Sequence, residues 1–186
     1  EMMKTCATIH PRGNYSSVDE HRSIVEKEFD RLVEKGYARR YHSWAEVKAR
    51  FGDGVVVSRV AAIVKERPDK SMKLRLIIDM LRSRVNHFVR LHERVVLPRL
   101  GDVISDLLDL LEADRLGGSL APEDWDRIDM MVIDWADAFQ TMGVLECEFP
   151  HQIVKGVREG EFYGFETVVF GGGGSPGVWG RAAAFL

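Results

Sequence analysis

Three short stretches of the chain carry side chains that could bind a metal ion or phosphate. The first is the run VIDWADAF at residues 132–139, in which an apolar stretch leads directly into the carboxylate of Asp134. Mg²⁺ prefers carboxylate and phosphate oxygens, and phosphoryl transfer needs such a metal to neutralise charge. Asp134 at the end of a strand is therefore a candidate metal ligand, although it could equally cap the structure that follows.

The second stretch is the glycine-rich run FGGGGSPG at residues 170–177. Consecutive glycines let the backbone approach a ligand closely, and a helix that begins after them can bind phosphate at its N-terminus. A plain flexible loop is the alternative. The frame Gly172-x-Gly174-x-x-Gly177 also fits a dinucleotide-binding pattern, but that pattern expects an acidic residue about 20 residues further on, beyond the last residue, Leu186.

The third stretch holds Lys73 and Arg75, which lie two residues apart and therefore share one face of a strand. Two cations on one face could hold a triphosphate or template phosphates, or could simply be solvated. The net charge of −3 hides a strong asymmetry. Residues 65–99 hold ten Lys or Arg against four acids, and residues 101–137 hold two Arg against eleven acids. This pattern suggests a phosphate-binding surface beside a metal-binding one, or two ordinary solvated faces.

The elements that would position these residues mix helices and strands without regular alternation, which predicts an α+β fold. A capping box at Ser17–Glu20 predicts a helix that ends at Gly36. Further helices are predicted at Trp44–Phe51, at residues 101–116 and from Ser175, the last with Ser175 as N-cap and still running at Leu186. Strands are predicted at Val55–Val64, Lys73–Asp79, Ile128–Ile133 and Phe162–Phe170, the first two as a hairpin with a basic tip.

Composition narrows the class of protein. A chain of 186 residues with 45% hydrophobic residues suits one soluble domain or slightly more. No apolar run reaches the roughly 18 residues of a membrane span, and the N-terminus lacks the apolar core of a secretory signal. Cys6 and Cys147 form no metal-binding pair, so we expect an intracellular location, cytoplasmic or nuclear, and no membrane partner.

Taken together, the order and spacing of five blocks resemble the reverse transcriptase (RNA-directed DNA polymerase) family, most closely the enzymes of LTR retrotransposons and retroviruses. The resemblance covers about residues 17–186. The blocks are EFDRLVEKG at 28–36, KLRLIID at 73–79 with Val85-Asn86, VVLPRL at 95–100, the palm-like run at 133–144, and VFG at 169–171 with SPGVWGR at 175–181.

The resemblance implies a right-hand polymerase with an extended lead-in at residues 1–16, fingers at 17–100 and a partial palm at 101–186. Asp134 would be the catalytic residue that holds Mg²⁺, and Phe139 would be a steric gate against the ribose 2′-OH. The residues that it assigns to the nucleotide are Lys73, Arg75, Asp137, Ala138, Phe139, Phe170 and Gly171, with backbone N–H groups contributing at 137 and 138. Those that it assigns to the template are Ser175, Pro176 and Arg181.

The sequence departs from the family pattern in three places. Val169 replaces a proline, the spacing from Asp79 to Asn86 is longer than usual, and no Y-x-D-D motif follows. The resemblance therefore implies a fragment, inactive alone, whose partners are a primed RNA or DNA template, deoxynucleoside triphosphates, and the remaining palm and thumb. A non-catalytic relic that binds nucleic acid, or an unrelated nucleotide-binding enzyme that uses Gly171–Gly177, are the alternatives.

Overall fold

The computed structural model describes residues 13–91, 99–117 and 134–183. These residues form two compact units, one of residues 13–91 with 137–183 and the other of residues 99–117 with 134–136. The predicted strand at Ile128–Ile133, most of the predicted lead-in, and the end of the predicted last helix lie outside the described residues.

Helices and strands are mixed along the chain, which confirms the α+β class. The larger unit holds helices α1 Ser16–Glu20, α2 Arg22–Glu34 and α3 Trp44–Phe51, strands β1 Ala38–Tyr41, β2 Val57–Glu66 and β3 Met72–Asp79, and short 3₁₀ helices at Val85–His87 and Glu146–His151. The smaller unit holds α4 Leu100–Gly117. The larger unit continues with β4 Ile153–Lys155, β5 Phe162–Phe165 and α5 Ser175–Ala183. No helix among the described residues has both the length and the hydrophobicity needed to cross a bilayer.

One five-stranded sheet organises the larger unit, in the order β1-β5-β4-β2-β3. The neighbours pair antiparallel except β2 and β4, which run parallel. Strands from the predicted fingers and strands from the predicted palm thus share a single sheet. The sequence did not predict β1 or β4, because strands of four and three residues are too short to show a period of two.

The predicted hairpin is confirmed. Strands β2 and β3 pair from Arg59 opposite Asp79 to Glu66 opposite Met72, and a short turn joins them. In that turn the N–H of Arg67 donates to the carbonyl of Ser71. The buried side chains of the hairpin are β-branched or small. Strand β3 forms an edge of the sheet.

The predicted N-terminal helix is wrong at its start and right at its end. The chain forms two helices that meet at His21, and the side chain of Ser17 does not cap either. The hydroxyl of Ser17 instead accepts a hydrogen bond from the N–H of Ala62 on β2. At the other end, Gly36 adopts a φ of +73° and α2 closes with the paired hydrogen bonds of a Schellman motif.

The core lies between α2 and the sheet. Phe29 of α2 is fully buried, and its ring stacks on Tyr163 of β5 with centroids 4.2 Å apart. Buried residues of α2 recur at helical spacing and face the same side, as an amphipathic helix on a sheet requires. A second cluster packs α3 against the other face of the sheet through Val47, Ile153 and Phe162.

Two predictions near the C-terminal end need correction. The predicted strand Phe162–Phe170 ends at Phe165. Beyond it the chain changes partner from β1 to residues 142–144, where the N–H of Val168 donates to the carbonyl of Met142. Ser175 is the first residue of α5 rather than its N-cap. Its hydroxyl donates to the carbonyl of Val169 at 2.7 Å and thereby ties the helix start to the chain before the glycines.

Candidate functional site

The outer face of the hairpin carries three cations close together. Lys73 and Arg75 are both exposed on the same face of β3, as the strand alternation predicts. Lys65 of β2 lies directly opposite Lys73. Like charges opposite one another weaken a sheet, and within the described part of the chain none of the three forms an ion pair. This three-cation face is therefore suited to bind an anion of several charges.

The four glycines at 171–174, here called the Gly loop, pack against the end of β3. The N–H of Ile78 donates to the carbonyl of Phe170 at 2.9 Å. Gly171 has a φ of +111°, and a Cβ at this position would fall 1.8 Å from the carbonyl oxygen of Ile78. Only glycine fits such a contact. The loop is thus a docked backbone segment, which argues against the flexible-loop alternative.

Two predicted nucleotide-binding residues from different motifs lie in contact. The rings of Phe139 and Phe170 have centroids 4.7 Å apart and are tilted by 57°. Both side chains are half-buried. Phe139 belongs to a turn in which the N–H of Thr141 donates to the carbonyl of Asp137. Because Phe170 also hydrogen bonds to β3, the turn, the Gly loop and the hairpin meet at this ring pair.

Asp137 anchors that turn to helix α2. Its carboxylate accepts hydrogen bonds from Arg31 at 2.8 Å and from Lys35 at 2.6 Å, and Arg31 also binds Glu28. Hydrogen bonding by Arg31, then by Lys35, lowers the pKa of Asp137 below its usual range. The carboxylate is already neutralised by two cations, so a contact from this turn to a triphosphate would use the backbone N–H groups of Asp137 and Ala138.

The anchoring predicts an acid-dependent loss of stability. The pKa of Asp137 is lowered in the folded state, so its contribution is fully present above the usual value of 3.8 and is lost as pH falls through the folded pKa. We expect Asp137→Asn to lower the free energy of unfolding by about 1–2 kcal/mol near neutral pH. Asn is chosen because it also tolerates the left-handed backbone of this residue, whose φ is +55°.

Urea unfolding of both proteins across the acid range measures the difference. We expect the gap between wild type and Asp137→Asn to shrink as pH drops below about 4. Asp53→Asn, which breaks an exposed ion pair with Lys48, is the matched control and should leave the profile nearly unchanged. If wild type and Asp137→Asn differ by the same free energy of unfolding at every pH, the lowered pKa of Asp137 is not the source of the difference.

Asp134 lies in the smaller unit, where its side chain is exposed. A carboxylate is a suitable ligand for Mg²⁺, which proteins commonly hold through one or two carboxylates together with substrate phosphates. Across residues 13–91, 99–117 and 134–183, no three His, Cys, Asp or Glu side chains converge on one point. The donor chemistry of Asp134 fits one ligand of such an ion, and its role as the residue that holds Mg²⁺ stays a prediction.

The three predicted template-contacting residues differ in their access to solvent. Ser175 is buried, with its hydroxyl bonded to Val169. Pro176 and Arg181 are exposed on α5. Pro176 and Arg181 are therefore the members of this set that a nucleic-acid strand could reach without rearrangement of the Gly loop.

Sequence reasoning missed the basic residues of α2 that hold the turn. Arg31 and Lys35 lie four residues apart, so they share one helix face, and this spacing was the available signal. Their acidic partner is more than 100 residues away in the chain, and no local pattern identifies it.

Comparison of the sequence with protein-family models found no match, and a search of curated proteins found none either. Support for a function therefore comes from the motif order in the sequence and from the geometry described above.

Proposed function

We propose that this chain forms the nucleotide-facing part of a reverse transcriptase of the LTR-retrotransposon or retroviral type, with fingers and the first part of the palm of a right-hand polymerase. One observation carries the proposal. Phe139 and Phe170, which come from two separate motifs, are in ring contact beside the point where the Gly loop packs on β3, the strand of the third motif. The convergence of the three motifs is what a shared nucleotide site requires.

Each group has a role that its chemistry can perform. Lys73 and Arg75 would neutralise the triphosphate of a bound deoxynucleotide from the exposed face of the hairpin. The backbone of the turn at Asp137 and Ala138 would donate N–H groups to the same phosphates. Phosphoryl transfer depends largely on such positioning and charge stabilisation, because the protein contributes little covalent chemistry.

The reaction of the intact polymerase would be attack of a primer 3′-oxygen on the α-phosphorus of the nucleotide, with pyrophosphate as the leaving group. Asp134 is the residue that would hold Mg²⁺. The bound ion would supply charge neutralisation at the phosphates and lower the pKa of the primer hydroxyl. The polymerase fold, the metal and the substrate are all parts of this proposal.

Phe139 would select deoxyribose over ribose. Its ring is backed by the ring of Phe170, so it cannot turn away freely from a sugar placed against it. We expect Phe139→Ala to raise the affinity for ribonucleoside triphosphates relative to deoxynucleoside triphosphates. Competition binding of the two nucleotide types, with Phe51→Ala on α3 as a control, measures the ratio; an unchanged ratio would remove Phe139 from this role.

Charge reversal on the hairpin tests the phosphate-binding role. Lys73→Glu and Arg75→Glu should each weaken binding of a deoxynucleoside triphosphate with Mg²⁺ by about ten-fold, because a charge-assisted hydrogen bond to phosphate is lost. Both side chains are exposed, so the unfolding midpoint should hardly change.

Lys27→Glu is the matched control, since it makes the same charge change at an exposed position on α2. Calorimetric titration of all four proteins gives the affinities. If Lys27→Glu weakens nucleotide binding as much as the hairpin variants do, the loss of affinity reflects net charge alone. That result would contradict a site on the hairpin.

A non-catalytic nucleic-acid-binding role is the second candidate, and the three-cation face of Lys65, Lys73 and Arg75 favours it. Such a surface would bind single-stranded RNA or DNA with an affinity that falls steeply with salt. Binding of an oligonucleotide without any binding of deoxynucleoside triphosphates would support this role over the polymerase.

A further inference from the structure

We infer that Asn86 is a positioning residue for the Gly loop and that, through the loop, it sets the nucleotide affinity of the site; this rests on the function proposed above. The side-chain Nδ2 of Asn86 donates to the carbonyl of Gly171 at 2.9 Å. Its Oδ1 accepts from the N–H of Gly173 at 2.8 Å. One amide therefore bridges both ends of a three-residue backbone segment, and its orientation is fixed because a flipped amide would lose both bonds.

Asn86 is itself held firmly at the end of β3. Its backbone N–H donates to the carbonyl of Met80, a buried residue. Asn86 lies in the short 3₁₀ helix Val85–His87, and Arg84, the residue before this helix, has a left-handed φ of +66°. Upstream, the carboxylate of Asp79 accepts from the N–H of Arg82. The position of the amide is thus tied to the same strand that presents Lys73 and Arg75.

The Gly loop is held by backbone donors of α5 as well as by Asn86. Its four residues have no side chains, and Gly172 and Gly174 line a cavity of about 410 Å³. The cavity wall is otherwise mostly apolar, including Val56, Met80, Phe88 and Val169. The N–H groups of Ser175 and Val178 hold the carbonyls of Gly172 and Gly174. The amide of Asn86 is the side chain that bonds both the carbonyl of Gly171 and the N–H of Gly173.

Loss of the amide should therefore act first on the loop. Glycine has the largest conformational freedom of any residue, so an unclasped Gly loop would spread over many backbone states. Phe170, next to this loop, supports the ring of Phe139. A nucleotide would then have to order the loop as it binds, and its affinity would fall.

The test compares the full chain with Asn86→Ala and Asn86→Asp. Asn86→Ala removes both bonds, while Asn86→Asp keeps an acceptor for the N–H of Gly173 but cannot donate to Gly171. Asn14→Ala is the matched control. The side chain of Asn14 also makes two hydrogen bonds to backbone, donating to the carbonyl of Lys155 and accepting from the N–H of Val60. The measurements are amide hydrogen exchange at Gly173 and the affinity for deoxythymidine triphosphate with Mg²⁺.

We expect Asn86→Ala to speed exchange at Gly173 by about ten-fold and to weaken nucleotide binding by a similar factor. Asn86→Asp should preserve protection at Gly173 and still weaken binding, and Asn14→Ala should change neither quantity. If amide exchange at Gly173 is unchanged in Asn86→Ala, the side chain of Asn86 does not hold the Gly loop. Faster exchange with unchanged nucleotide affinity would overturn the positioning role. If the wild-type chain binds no nucleotide, the proposed function fails. The exchange rate at Gly173 still shows whether Asn86 holds the Gly loop.

Discussion

Replacement of Gly171 by Ala is expected to lower the free energy of unfolding by at least about 3 kcal/mol, because overpacking and backbone strain add at this position. The new Cβ would lie 1.8 Å from the carbonyl oxygen of Ile78, and φ is +111°. Neither the backbone carbonyl of the buried residue Ile78 nor the left-handed backbone of Gly171 can adjust cheaply. The change should also detach Phe170 from β3 and with it the support of the Phe139 ring.

Gly173→Ala is the matched control two residues away. A Cβ there would meet nothing closer than 3.4 Å, and the nearest atom belongs to the side chain of Asn86. We expect its cost to stay below about 1 kcal/mol. Denaturant unfolding followed by circular dichroism compares the two variants. If both cost the same, the close packing of the Gly loop on β3 is not what stabilises this region.

The second large effect is expected in the core at Phe29. Its ring is fully buried and stacks on Tyr163, so it joins α2 to the middle of the sheet. Phe29→Ala should lower the free energy of unfolding by about 3–5 kcal/mol, through lost burial and the cavity that remains. Phe29→Leu, which keeps most of the volume, should cost roughly 1–2 kcal/mol and remains measurable if the alanine variant does not fold.

Phe88→Ala is the control for this prediction, because Phe88 has the same side chain but is 39% exposed. We expect it to cost under about 1 kcal/mol by urea unfolding. A cost for Phe88→Ala equal to that for Phe29→Ala would contradict the placement of the core between α2 and the sheet.

The parts of the fold that the sequence predicted well are those with local signals. The predicted bounds of α3, Trp44–Phe51, are confirmed, and the structure shows the side chain of Ser43 capping its start by accepting from the N–H of Glu46. The β2–β3 hairpin was predicted from β-branched runs around a polar turn. By contrast, β1 pairs with β5 across more than 120 residues, and no local pattern encodes such a partner.

The candidate site divides in the same way. The shared face of Lys73 and Arg75 follows from alternation along one strand, and the need for glycine at 171 was visible as a glycine run. The ring contact between Phe139 and Phe170 and the ion pairs of Asp137 depend on tertiary packing. Ser17 and Ser175 were assigned as helix caps from local pattern, but each hydroxyl serves a longer-range contact, because tertiary hydrogen bonds competed with capping.

The most direct test of the central claim is an NMR titration of the isotope-labelled chain with Mg²⁺ and a deoxynucleoside triphosphate, beside Asp134→Ala. We expect the shifts to concentrate at Lys73 and Arg75, at residues 137–139 and at residues 170–171, and we expect Asp134→Ala to weaken the response to Mg²⁺. Shifts confined to other surfaces, or identical Mg²⁺ responses in both proteins, would contradict the proposal that these motifs form one nucleotide site.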